Sequence, residues 1–149
     1  MKKSTIRICE ILGILGVFSL ILAASIAEKK NAVVNDYRGV SMSAEKESIS
    51  AEGLTLDITN DTKDVLVFEE EYIIEKRTQG QWYKLPSQTI AGDWEEEPVI
   101  IEPETSVKQA CFVTWLDSYG RLSAGEYRLL KKFKTPDKKE HVLAVTFSL

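Results

Sequence analysis

From Gly39 to Leu149 the chain is written in short runs of alternating apolar and polar residues, each closed by residues that favour turns. That period of two is the feature that most constrains the fold, because successive side chains of a β-strand point to opposite faces. In GLTLDITND, Leu54, Leu56 and Ile58 alternate with Thr55, Asp57 and Thr59, and Asn60-Asp61-Thr62 then supplies side chains that bond their own backbone. Tyr127, Leu129 and Phe133 share parity against Glu126, Arg128, Lys132 and Lys134. Pro136-Asp137-Lys138 turns the chain into EHVLAVTFSL, where Leu143, Val145, Phe147 and Leu149 alternate with smaller residues. EEYIIEKRTQGQWYKLP reads as a hairpin with Gln79-Gly80 at its tip and Pro86 ending the second arm, since proline offers no ladder N–H. Val99 to Ile101 is a short strand. SVKQACFVTWL is a longer one, with Val107, Cys111, Val113 and Trp115 expected inward. With Val40, Met42 and Ala44 these make about seven to eight strands, too many for one small open sheet. Two packed sheets are expected.

The front of the chain is different. Lys2, Lys3 and Arg7 lead into Ile11 to Ala27, 17 residues without a charge, the pattern of a signal peptide or an N-terminal anchor. Counted back to Ile8 the run has 20 residues with Glu10 as its only charge, and about 20 apolar residues span a bilayer. Ser25 and Ala27 place small residues at a possible cut before Glu28. The expectation is one uncleaved N-terminal hydrophobic helix, crossing the cell membrane once with the domain outside; cleavage would make the domain secreted. No cysteine stands at the end of the run, and Cys9 lies before it, so a lipoprotein anchor there is excluded. The expected organisation is 1–27 anchor or signal, 28–38 tether and 39–149 β-domain.

Without the first 27 residues, the 19 basic and 23 acidic side chains fall to 16 and 22, a net charge of −6. That balance argues against nucleic acid as a partner. Cys111 is the only cysteine beyond the apolar run, so no intrachain disulfide forms there, and a lone cysteine in an apolar stretch reads as a small buried hydrophobe.

Leu122-Ser-Ala-Gly125-Glu-Tyr127 fits the corner at which an immunoglobulin-type chain climbs from one sheet to the other. Gly125 would supply the turn, Leu122 would plug the core edge, and the Tyr127 hydroxyl would bond upstream backbone. Together GLTLDITND, YIIEKRTQGQWYKLP and WLDSYGRLSAGEYRLLK resemble the bacterial immunoglobulin-like domain of exported and membrane-anchored Gram-positive proteins. The resemblance covers roughly Val40 to Leu149. Its most specific motif is carried by Tyr119, Gly120, Leu122, Gly125, Tyr127 and Arg128, and Val67-Phe68-Glu69 departs from a tyrosine-glycine pair common before the hairpin. It implies an all-β immunoglobulin-like sandwich that serves as an interaction or accessory module.

No motif for chemistry stands beside it. His141 is the only histidine and reads as a strand-end polar residue; no nucleophile elbow, metal-ligand spacing or Gly-rich phosphate loop occurs. No cofactor and no catalytic residue are expected. Glu69-Glu70-Glu71 would alternate faces on a strand, which is a poor arrangement for calcium. Trp94, between Asp93 and Glu95, is hard to bury among acids and is a candidate partner contact. Lys132, Lys134, Lys138 and Lys139, with Arg128 and Lys131, flank the last turn and are candidates for a membrane surface. The function expected is a non-enzymatic binding or accessory module at the bacterial cell envelope, for an envelope protein or wall polymer. The alternative is a secreted regulator, such as a protease inhibitor presenting residues 87–98.

Overall fold

The computed structural model describes residues 33–88 and 98–149, with the backbone alone for 106–112. Among them run β1 (Val40–Ala44), β2 (Gly53–Asn60), β3 (Leu66–Thr78), β4 (Gln81–Lys84), β5 (Val99–Ile101), β6 (Thr105–Thr114), β7 (Glu126–Lys134) and β8 (Glu140–Ser148). One helical turn, Leu116–Tyr119, lies between β6 and β7. The apolar segment Ile11 to Ala27 and residues 28–32 of the tether lie outside the described residues.

Two antiparallel sheets form the sandwich. β1, β2 and β6 make one in that order; the other has the order β4-β3-β7-β8, with β5 also on β3. β4 pairs with Glu75 to Thr78 and β5 with Leu66 to Phe68, so both lie on the edge of β3 away from β7. The connection between β4 and β5 therefore begins and ends in one sheet. A crossing between sheets, one of the two roles its length suggests, does not occur, because β5 pairs with β3 and not with β6.

Alternation decides what is buried. Leu54, Leu56 and Ile58 of β2 face Ile74, Tyr127, Leu129 and Leu143 of the opposing sheet across the interior, all fully or nearly fully buried. Gln79 and Gly80 both take positive φ, 51° and 79°, the two-residue turn whose twist suits paired strands. The core divides in two. Toward the end with that hairpin, Trp115, Tyr127 and Phe147 stack; toward the other, Phe68 and Phe133 stack with centroids 5.0 Å apart.

Between the two clusters the ladder slips. Phe68 pairs with Phe133 but Tyr72 pairs with Lys131, so Glu69 to Glu71 bulge out of β3. Lys131 shares the inward parity of Tyr127, Leu129 and Phe133 and is only 2% exposed. Its ammonium donates to the Glu70 carbonyl at 3.2 Å, a backbone group that the bulge removes from the ladder. This corrects the reading of Lys131 as part of a surface cluster: the bulge makes room for a long side chain and offers its head an acceptor. Arg128 points outward, as its parity predicts, yet is only 7% exposed, because Glu75 and the Trp82 ring cover it.

Candidate functional site

The base of the sandwich is the end with the β2–β3 and β7–β8 turns. There the chain packs before β1 begins. The Asn35 backbone N–H donates to the Val142 carbonyl at 2.8 Å. Its side chain donates to the Ala144 carbonyl at 3.1 Å and accepts from the Ala144 N–H at 2.9 Å. Asn35 does this at φ 57°, a left-handed conformation that asparagine tolerates better than most residues. Tyr37 lays its ring 5.7 Å from Phe133 and 4.5 Å from His141. Residues 35–37 of the expected tether are thus packed on the domain.

These contacts enclose a cleft of about 290 Å³ lined by Tyr37, Asp64, Thr135, Pro136, Asp137, Lys139 and His141. The Tyr37 hydroxyl donates to Asp64 at 2.8 Å, and that bond to a carboxylate holds the phenol above its ordinary pKa. Asp137 accepts from Lys139 and from the Thr135 hydroxyl, which lowers its carboxyl to about 2 and raises the Lys139 ammonium. His141 Nδ1 stands 3.6 Å from Asp36. Tyr37, Asp64, Thr135, Asp137 and Lys139 each engage a neighbour within the cleft, an arrangement that fixes loops. Among the described residues no group of three or more His, Cys, Asp or Glu side chains could hold a metal ion.

At the opposite end, the tip, the corner expected around Tyr127 takes form. Tyr127 is 1% exposed and its hydroxyl donates to the Ser123 carbonyl, four residues upstream, at 2.8 Å. Gly125 has φ 156°, and a Cβ there would meet Lys76 Cε at 2.9 Å. Gly125 also exchanges backbone bonds with Leu149, while the Leu122 N–H donates to Ala51. Beside this geometry stands a family match: residues 36–148 fit the family described as bacterial Ig-like domain. The chain belongs to that family.

No curated protein and no solved structure matches the chain. As a bacterial Ig-like domain it is an accessory or binding module and not an enzyme. The matched region starts at Asp36, inside the segment that packs on the base, so the base cleft belongs to the Ig-like domain itself. Sequence reasoning missed this cleft, because EKKNAVVNDYR has no strand period. The signal present was Asn35 and Tyr37, a turn former and an aromatic in a polar stretch.

The other predicted site residues fare differently. Trp94, Asp93 and Glu95 lie outside the described residues, as does most of 87–98; the side chain of Cys111 does too. Lys132 bonds Glu140 at 3.0 Å, Lys134 bonds Glu69 at 3.2 Å and Lys139 bonds Asp137 at 2.8 Å. The Glu140 bond raises the Lys132 ammonium above its ordinary value. Lys138 sits exposed in the turn at φ 62°. Three of the four hairpin lysines therefore spend their charge on neighbouring carboxylates.

The outer face of the five-stranded sheet carries a second polar array. Arg77 pairs with Glu126 at 2.9 Å and Arg128 with Glu75, and the Trp82 ring lies 5.7 Å from the first guanidinium and 4.9 Å from the second. On the inner side, Tyr72 and Tyr119, with centroids 6.0 Å apart, are both raised by burial, Tyr72 to about 12. Among the described residues no helix is long and apolar enough to cross a membrane.

Proposed function

We propose that this Ig-like domain is an extracytoplasmic binding or accessory module held on the cell membrane by the apolar segment Ile11 to Ala27, with an envelope protein or wall polymer as its partner. The supporting observation is how little chain separates the apolar run from a residue packed on the domain. Asn35 is docked on β8 eight residues past Ala27, and eight residues reach about 28 Å at full extension. A segment anchored at Ala27 would keep the domain within about that distance of the lipid.

The lysines of the β7–β8 hairpin are the candidates for contact with that surface. With Lys132, Lys134 and Lys139 already paired, the tether and not surface charge is proposed to hold the domain there. Exposed pairs screen one another and leave little for anionic headgroups. Membrane fractionation of the expressed full-length chain, read with the intact mass of the product, tests the reading. A full-length mass in the membrane fraction is expected. A product about 27 residues shorter and free in the medium, the length set by a cut before Glu28, would overturn the tether in favour of a diffusible regulator.

A further inference from the structure

β8 is the outer strand of the five-stranded sheet, and an outer strand nine residues long is a template for pairing with another chain. Backbone groups of an antiparallel strand alternate between facing the neighbour and facing away. Leu143, Val145 and Phe147 therefore turn their N–H and C=O toward β7, while Val142 and Ala144 turn theirs outward. Asn35 meets those outward groups: its N–H takes the Val142 carbonyl, and its side-chain amide takes both the carbonyl and the N–H of Ala144. The paired donor and acceptor of the side chain imitate what one residue of an added strand would offer. β1 lies beside β8, and Asn35 occupies the outward groups at Val142 and Ala144.

We propose that Asn35 is an edge guard: it occupies the hydrogen-bonding positions of β8 at Val142 and Ala144 and thereby keeps a second copy of this chain from pairing there strand to strand. The occupant excluded is a second copy because an antiparallel edge is self-complementary about a two-fold axis, so the same residues supply both sides of the contact. The left-handed backbone at Asn35 is what lets a side chain, and not a continuing strand, lie against the edge. The guard ends the sheet where a strand would have extended it.

The test is Asn35→Gly in the full-length chain in detergent micelles. Glycine takes φ 57° without strain and keeps the backbone N–H, so the chain path is preserved while the side-chain amide is deleted. Hydrogen exchange of single amides is read by NMR, and association by sedimentation over a range of protein concentrations. The expected result has two parts. At the lowest concentration the Ala144 amide exchanges about fivefold faster, the loss expected for one hydrogen bond, with Leu143 and Val145 unchanged; as concentration rises the variant dimerises while the parent does not. An unchanged Ala144 amide would show that Asn35 protects nothing. Faster exchange in a variant that sediments like the parent at every concentration would show that the edge needs no guard. Either outcome overturns the proposal.

Discussion

Replacing Tyr127 by phenylalanine isolates one bond. The ring stays stacked on Phe147, with centroids 5.6 Å apart and planes at 19°, and Lys76 Nζ stays 5.2 Å from its centroid. What is lost is the 2.8 Å bond from the hydroxyl to the Ser123 carbonyl. Ser123 is exposed, so its carbonyl takes water when the hydroxyl is gone, and the loss stays near the net value of a single hydrogen bond, about 1 kcal/mol. For a domain of this size that lowers Tm by about 4 °C. Tyr127→Ala also removes the ring and should cost about 3–5 kcal/mol. Ser123→Ala separates the two possible acceptors: the Ser123 hydroxyl lies 3.3 Å from the phenol, but the carbonyl bond survives that change, so stability should stay within about 0.5 kcal/mol of the parent. Urea unfolding followed by tryptophan fluorescence suits the measurement, since Trp115 is buried and stacked on Phe147 at 5.5 Å. The reasoning fails if Tyr127→Phe unfolds with the parent, or if Ser123→Ala costs as much as Tyr127→Phe.

Three further outcomes follow from the geometry. Asn60, fully buried, donates to the carbonyls of Asp64 and Glu102 at 2.8 and 3.1 Å and accepts from Thr62; Asn60→Ala should destabilise by about 2–3 kcal/mol by stranding those groups, which denaturant titration checks. Gly125→Ala, forced to φ 156° against Lys76 and Tyr127, should cost about 1–3 kcal/mol and should be partly relieved by shortening Lys76 to alanine. Asp137 has a carboxyl lowered to about 2 by Lys139 and Thr135. A depressed carboxyl contributes stability that is present above its unfolded value, near 3.8, and is lost as pH falls through about 2. Asp137→Asn should therefore flatten the acid limb of stability in that window, and an acid limb identical to the parent's would refute the assignment.

Much of the fold is legible in local stretches of the chain. The alternation in GLTLDITND, EYRLLKKFK and EHVLAVTFSL places strands and their inward residues, since within one strand the faces are set by the pleat alone. Gln79-Gly80 marks a two-residue turn because both positions need positive φ. Gly125 and Tyr127 mark the corner for a similarly local reason. Nothing local, however, tells β5 to pair with β3 and not with β6, since a three-residue apolar run is compatible with either edge.

The charges are least legible. Lys131 reads as one more lysine of a basic hairpin, yet it is buried because a bulge 61 residues away in sequence leaves the Glu70 carbonyl open to it. Lys132 and Lys134 find Glu140 and Glu69 across neighbouring strands, and a charge count along the chain cannot show which carboxylates the sheet brings alongside. Asn35 meets Ala144 across 109 residues, so the period-free stretch around it looks like a tether until the edge of β8 exists to receive it. The sequence by itself determined the strands, their faces and their turns, because these depend on neighbours along the chain. Only the tertiary structure decided which edges are paired, which charges are neutralised and that Asn35 and Tyr37 pack on the domain, because these depend on groups that meet after the sheets have packed.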